Sequence, residues 1–431
     1  MIINDNFKIG DDGQLNVESI GCIDLADRYG TPLYVMSKSQ LLNNIAVMKN
    51  QMEKSFSSSC IAYASKALSC KEIYRIIKDS DMSLDVASQG ELATALSVDF
   101  PVERIYFHGN NKNEKDLKYA LEASIGYIVI DNLSEIRLLE RLTSVTGIRQ
   151  KVLLRVKPGV EAHTHEYIRT GGVDSKFGLS KEKDELYPVL LEISNCKGIE
   201  LVGLHCHIGS QIVDIEPYLV TADIMLELFA RINREFSFEL QELNLGGGFG
   251  IEYLESQTVP KTSDFIKCIG ETIDELCKKY GIEVPKIVFE PGRSVVGSAG
   301  LTLYSVGNIK KVKDIRSYVA IDGSIADNIR FALYQSDYIF DIVDRVSETK
   351  DTSVAIAGRC CETGDLIAKD ILIQEPKEND ILSVYPTGAY NYSMASNYNR
   401  LPKPAMVLVD KDSVIEIIRR ETIEDLLRFD L

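Results

Sequence analysis

Eight short apolar runs, separated by stretches with helical periodicity, constrain what this chain can fold into more than any other feature. They are Ile61–Ala64, Ser83–Val86, Arg104–Phe107, Tyr127–Ile130, Val152–Val156, Leu201–Leu204, Leu243–Leu245 and Lys286–Phe289. The first five begin roughly every 21–25 residues, which leaves room for one helix each. The last three are spaced by roughly 40–50 residues, so they should carry longer loops or insertions. Between the runs, Lys71–Lys78 places Ile73, Ile76 and Ile77 on one face, and Glu114–Ala123 does the same with Leu117, Ala120 and Leu121. Ser134–Leu142 offers Ser134 as an N-cap, and Thr221–Phe236 is a long amphipathic run. Alternating βα units without a repeated motif fit a (β/α)8 barrel better than a solenoid or an open sheet.

The texture changes after Glu290-Pro291-Gly292-Arg293. Leu301–Val306, Tyr318–Asp322, Ser353–Ala357, Ile381–Tyr385, Ala405–Val409 and Ser413–Ile418 read as strands joined by turns. The expected fold class is therefore α/β, a (β/α)8 barrel followed by a mostly β C-terminal domain. The expected boundaries are residues 1–35 for an N-terminal segment packed with the β domain, 36–290 for a cofactor-binding barrel and 291–431 for the β domain. No stretch rich in Gly, Ser or Pro separates the last two.

Charge narrows the partners. Lys and Arg total 48 against 64 Asp and Glu, a net charge of −16, which makes the chain a poor candidate for non-specific binding of nucleic acid, whose phosphates need a basic face. No run approaches the ~18 apolar residues of a membrane span, and Met1-Ile2-Ile3-Asn4-Asp5 lacks the basic start of a signal peptide. The nine cysteines show no zinc-like pairing and read as reduced thiols of a cytoplasmic protein.

Chemistry concentrates where a barrel would use it, at the C-terminal ends of the strands. Lys66 follows the first run; Asp85, His108 and Asp131 end the next three. His205-Cys206-His207 ends the sixth, Gly246-Gly247-Gly248-Phe249-Gly250 the seventh and Glu290 the eighth. A lysine at a barrel mouth can form a Schiff base with a carbonyl, although most lysines are simply solvated. A glycine run can cradle phosphate with its N–H groups, or can be no more than a tight turn. It is neither a Walker A motif nor a dinucleotide fingerprint. His205 and His207 share a strand face, as His163 and His165 would, so an HxH metal site completed by His108 and Asp131 is a competing reading. Glu290 can pair with Arg293, or can hold a protonated heteroaromatic nitrogen. Lysine, phosphate loop, ring-facing histidine and acid together match what pyridoxal phosphate needs.

The longer motifs carry a resemblance. Tyr63–Ala67, Phe107–Lys112, Leu154–Gly178 (LRVKPGVEAHTHEYIRTGGVDSKFG), His205–Gln211 (HCHIGSQ), Glu290–Arg293, Cys360–Asp365 (CCETGD) and Gly388–Arg400 (GAYNYSMASNYNR) resemble the diaminopimelate decarboxylase family, of the alanine-racemase-like fold type of pyridoxal phosphate enzymes, over nearly the whole chain. The resemblance implies decarboxylation of meso-2,6-diaminopimelate to L-lysine, the last step of lysine biosynthesis. It implies that Lys66 carries the cofactor and that His207 stacks on its ring. Ser210 and the backbone of Gly246, Gly247 and Gly248 would bind phosphate, with Gly292 and Tyr390 nearby. Glu290 would serve the pyridine nitrogen. Arg293, Arg330 and Tyr334, with Tyr390 beside them, would bind the distal carboxylate of the substrate and Glu362 its distal amino group. Cys361 would be the proton donor, reaching the site from the second subunit of a homodimer with shared active sites.

These roles suit the chemistry. A thiol is mostly protonated at neutral pH and can give a proton. Arginine forks bind a carboxylate in bidentate fashion, and such a clamp rejects ornithine or lysine by leaving a guanidinium unpaired. The segment Asp322–Phe331 departs from the family pattern at Ala326 and Phe331, where a polar residue and a proline are usual; this bears on substrate preference, not on cofactor chemistry. Alternative readings are a decarboxylase of a D-amino acid or carboxynorspermidine, a non-catalytic relative that binds the cofactor, and a metal-dependent barrel hydrolase.

Overall fold

A computed structural model describes residues 5–160, 174–236 and 238–431. His163 and His165 lie outside the described residues. By contacts the chain forms two units, one of residues 45–250 and 259–294, the other of residues 1–44, 251–258 and 295–431.

The first unit is a closed parallel barrel. Its strands are Ser59–Ala64, Ser83–Val86, Ile105–Phe107, Tyr127–Ile130, Gln150–Lys157, Ile199–His205, Glu242–Asn244 and Lys286–Phe289. Each pairs in parallel with the next, and Ile287 opposite Ser59 closes the ring. All eight apolar runs are thus barrel strands. Ala62, Tyr106, Val129, Leu153, Val202 and Val288 meet inside it as one apolar cluster, the packed interior expected of such barrels. Helices return the chain between strands. Lys71–Asp79 buries Ile73, Tyr74, Ile76 and Ile77, the 3.6-residue stripe of its sequence. Glu114–Glu122 is started by an Asn113 capping box.

The helix read from Ser134 begins one residue earlier, at Leu133, and its cap is Asn132, whose side chain accepts the Glu135 N–H. Asparagine caps a helix as well as serine does, and here it sits at the first non-helical position. Residues 251–258, which the 36–290 boundary assigned to the barrel, belong to the other unit. There Tyr253 joins an apolar cluster with Tyr304, Tyr338 and Phe340.

The second unit is built on the long strand Gly300–Val312, which pairs with Leu33–Ser37, Arg316–Ile321 and Ile381–Tyr385. Leu33–Ser37 also pairs with Ala405–Asp410, so a strand from the N-terminal segment lies inside this sheet. Phe7, Leu15, Leu33, Val35, Leu301, Leu303 and Val407 share one core cluster, which explains why the N-terminal segment folds with the β strands. Leu33–Ser37, Ile339–Ile342 and Leu366–Ile373 are among the strands that escaped the sequence reading, as are the short Phe7–Ile9, Leu15–Val17 and Ile20–Gly21. The first two are buried along their whole length and show no alternation, and the third carries the polar pair Lys369-Asp370.

Candidate active site

The barrel strands deliver their polar ends to one mouth. Lys66 sits in the short 3-10 turn Ser65–Ala67 directly after the first strand, and its side chain is exposed. Behind it Tyr63 donates to the Leu68 carbonyl at 3.0 Å, tying the turn to the strand.

Glu290 is the most heavily engaged acid. Its Oε1 lies 2.7 Å from Asn244 Nδ2 and 2.9 Å from His108 Nε2, and its Oε2 lies 3.0 Å from His205 Nε2. Burial alone would raise its pKa, but His108 and His205 hold it well below the ordinary carboxylate range. Burial pushes His205 down to about 4, against the pull of Glu290, so its ring is neutral near pH 7. Asp85 stands 3.8 Å from His108 Nε2, and burial lifts its carboxyl to about 6. His108, His205 and Glu290 also place three ligand-type atoms within 4.8 Å of one another, the grouping a metal would need. In this structure His205 hydrogen-bonds Glu290 while His108 Nε2 stands close without hydrogen-bond geometry, and the acid is held ionised, as suits a protonated pyridine nitrogen.

The glycine run explains itself by contact. A Cβ on Gly247 would stand 1.9 Å from the Glu290 carbonyl oxygen. One on Gly246, at φ 71°, would stand 2.5 Å from the Cys206 carbonyl oxygen. One on Gly248, at φ 106°, would stand 2.2 Å from the Gly209 carbonyl oxygen. No side chain fits there. The Gly246 N–H donates to Asn244 Oδ1 at 2.9 Å, and the Gly247 N–H to His207 Nδ1 at 3.2 Å. Two of the three loop N–H groups are therefore spent on the site's own framework. The second of these bonds fixes the His207 ring with Nδ1 as acceptor, and burial keeps that ring from protonating. Ser210 Oγ accepts from Arg293 Nη2 at 3.0 Å, which puts a hydroxyl and a buried guanidinium beside the loop strand ends. Gly292 packs against Ala64 and Ala67, where a Cβ would come within 2.9 Å. Asn244 was missed by the sequence reading, although its place before the glycine run was a signal. Arg155, which stacks over Phe177 at 4.4 Å and lies 3.9 Å from Asp131, was quoted only as part of a motif.

The β unit assembles a second set. Arg330 is buried, at 5% exposure, at the start of the short helix Arg330–Tyr334. Its guanidinium lies 5.1 Å from the Tyr334 ring centre and 5.6 Å from that of Tyr390, and it donates to Ser336 Oγ at 3.4 Å. No carboxylate pairs with it among the described residues. Tyr390 holds a left-handed φ of 62°, uncommon for a bulky residue. Cys361 and Glu362 are exposed. The Cys361 N–H donates to Asn399 Oδ1 at 2.6 Å, and Tyr398 OH to Glu362 Oε2 at 3.4 Å. Their loop is anchored by Asp365, which accepts the N–H of Cys360 at 2.6 Å and of Ile325 at 2.7 Å. Ala326 is buried and Phe331 half-buried.

Comparison with known proteins gives the same direction. Residues 42–297 match the family model described as pyridoxal-dependent decarboxylase, pyridoxal binding domain. The chain is 44% identical over 431 residues to the diaminopimelate decarboxylase of Bacillus subtilis, covering 100% of this chain and 98% of that protein. It is 43% identical to that of Staphylococcus aureus, covering 97% and 98%. Among solved structures, diaminopimelate decarboxylase from M. jannaschii in complex with L-lysine matches with a TM-score of 0.91 at 32% identity, covering 100% of this chain and 99% of that one. The Helicobacter pylori enzyme complexed with L-lysine matches with a TM-score of 0.85 at 27% identity, covering 95% and 98%. With the motifs, the barrel and these full-length matches in agreement, the chain belongs to the diaminopimelate decarboxylase family of pyridoxal-phosphate-dependent enzymes.

Proposed function

We propose that the chain performs the family's reaction, removing one carboxyl group of meso-2,6-diaminopimelate as CO2 to give L-lysine, with the residue roles that follow. The observation that carries the reading is the Glu290 cluster, a buried carboxylate hydrogen-bonded by Asn244 and His205, with His108 beside it, at a barrel mouth that also presents Lys66. Pyridoxal phosphate, when bound, supplies the electron sink that decarboxylation requires.

Lys66 anchors the cofactor. His207, fixed by the Gly247 N–H, gives a flat ring face for stacking. Ser210, Arg293 and the Gly248 N–H supply phosphate donors, while Gly246, Gly247 and Gly292 allow the close approach of backbone that a side chain would block. Arg330 takes the distal carboxylate, flanked by Tyr334 and Tyr390. An otherwise unpaired buried guanidinium is costly, and a substrate carboxylate offsets that cost. Glu362 takes the distal ammonium group, and Cys361 Sγ delivers the proton that replaces CO2.

The exposure of Cys361 and Glu362 in the single chain supports a homodimer in which they serve the partner's site. Hybrid dimers test this. Lys66→Ala and Cys361→Ala are each nearly inactive alone. Unfolded together, mixed equally and refolded, they make about half hybrids and recover roughly a quarter of wild-type activity, because one site of each hybrid is intact. Verified subunit exchange without recovery rejects the shared site. No helix among the described residues is long and apolar enough to cross a membrane, and all nine cysteines are free. Both facts support a cytoplasmic protein.

A further inference from the structure

Three side-chain nitrogens crowd Glu290, and two of them, on Asn244 and His205, are hydrogen-bonded to it. Its Oε1 faces Asn244 Nδ2 at 2.7 Å and His108 Nε2 at 2.9 Å, whereas Oε2 faces His205 Nε2 alone, at 3.0 Å. Each carboxylate oxygen offers about two lone-pair directions; Oε1 bonds to Asn244 and is further crowded by His108 Nε2, which stands close without hydrogen-bond geometry, whereas Oε2 bonds to His205 and keeps one direction open. We infer that His108, His205 and Asn244 are positioning residues that rotate Glu290 and keep it charged, so that Oε2 is the atom presented to the cofactor's pyridine nitrogen. This rests on the role given to Glu290 above and goes beyond it, assigning work to three residues that need not touch cofactor or substrate.

The environment makes the need clear. Glu290 is buried, and a buried acid without donors takes up a proton. A neutral carboxylic acid there would compete with, rather than stabilise, the pyridinium proton. The surrounding groups act in both directions. His108 and His205 favour the charged form of Glu290. Asp85 is a like charge that opposes it, while Arg155 favours it from the fifth strand. His207 and Cys206 also interact with it. The two histidines reach Glu290 from different strands, the third and the sixth. Their rings meet edge to face, with centres 4.9 Å apart, which limits the rotation of either. Burial keeps His205 neutral, so its single ring proton can sit on Nε2 and point at Glu290.

The test substitutes His205 with leucine, and with glutamine, whose side-chain nitrogen can stand near the position of Nε2. Holoenzyme is reconstituted with pyridoxal phosphate labelled with nitrogen-15 in the ring, and the ring-nitrogen signal is recorded beside steady-state kinetics. The inference expects a protonated signal in the wild type and a move toward the unprotonated value in His205→Leu. It expects kcat to fall at least tenfold, with KM for diaminopimelate held within about threefold, and both readouts to recover in His205→Gln. An unmoved nitrogen signal in His205→Leu overturns the inference, as does a loss that glutamine fails to rescue, since that marks a packing role. If His205→Leu gives no soluble holoenzyme, His108→Leu and His108→Gln carry the same expectations. Glu290→Gln separates the two levels. If it leaves the nitrogen signal unchanged, the role of Glu290 itself is wrong. If it moves the signal while the histidine variants do not, only the positioning inference fails.

Discussion

Replacing Arg330 with leucine removes a buried guanidinium that no carboxylate of the described chain neutralises. Its contacts are a 3.4 Å hydrogen bond to Ser336 and the faces of Tyr334 and Tyr390 at 5.1 and 5.6 Å. If the substrate's distal carboxylate is its intended partner, the variant loses a charge-assisted interaction worth roughly 1.5–3 kcal/mol. At 1.36 kcal/mol per tenfold, that is a drop of about 10- to 150-fold in kcat/KM for meso-diaminopimelate. The fold should not suffer. Exchanging an unpaired buried charge for an apolar side chain leaves stability equal or higher, so the thermal midpoint of Arg330→Leu holds or rises. Cofactor affinity stays within about twofold, because the guanidinium is assigned to substrate. Release of CO2 measured over a range of substrate concentrations, with a thermal melt and a cofactor titration on the same preparation, checks all three expectations. Unchanged kcat/KM sinks the assignment, and a collapsed melting temperature shows that Arg330 is structural.

Three further outcomes follow from the geometry. Gly247→Ala places a Cβ 1.9 Å from the Glu290 carbonyl oxygen, so the strand end must shift. The cost is about 1–3 kcal/mol of stability, with cofactor affinity at least tenfold weaker, and a normal cofactor titration would contradict it. In Lys66→Ala, borohydride should trap no covalent cofactor on the protein; a full adduct by mass spectrometry would refute the anchor. Asp327 gives a pH test. Burial lifts its carboxyl from 3.8 to about 7, despite hydrogen bonds from Tyr304 and Ser324. Its pKa in the folded state is the higher one, so its stabilising contribution is complete below 3.8 and is lost as pH rises through about 7. Between those values the wild type should lose stability relative to Asp327→Asn, on the order of a few kcal/mol. Parallel denaturation curves across that range would refute it.

The barrel was legible because its strands are short, mostly buried apolar runs, six of them ending in a chemically capable polar residue. Lys66, His205 and Glu290 could be found by that rule alone. The β unit was less legible because its strands come from distant parts of the sequence. Leu33–Ser37 has no alternation to betray a strand, and only its pairing with Gly300–Val312 and Ala405–Asp410 places it. The glycine run was legible as a feature but not in its reason. Two of its N–H groups serve Asn244 and His207, and its glycines answer a crowding that arises only when Cys206, Gly209 and Glu290 are folded beside them. Asn244 had only its place before the glycine run to mark it. Its task depends on a carboxylate 46 residues away, a contact that spacing cannot reveal.

The central claim, that this chain decarboxylates diaminopimelate with pyridoxal phosphate held on Lys66, is tested most directly by product analysis. Protein loaded with pyridoxal phosphate is given meso-2,6-diaminopimelate, ornithine and lysine in separate reactions, and CO2 and amine products are quantified beside Lys66→Ala. The account expects CO2 and L-lysine in equal amounts from diaminopimelate, little from the two amines that lack a second carboxylate, and none from the variant. Equal turnover of ornithine, or L-lysine formed by Lys66→Ala at the wild-type rate, would contradict it.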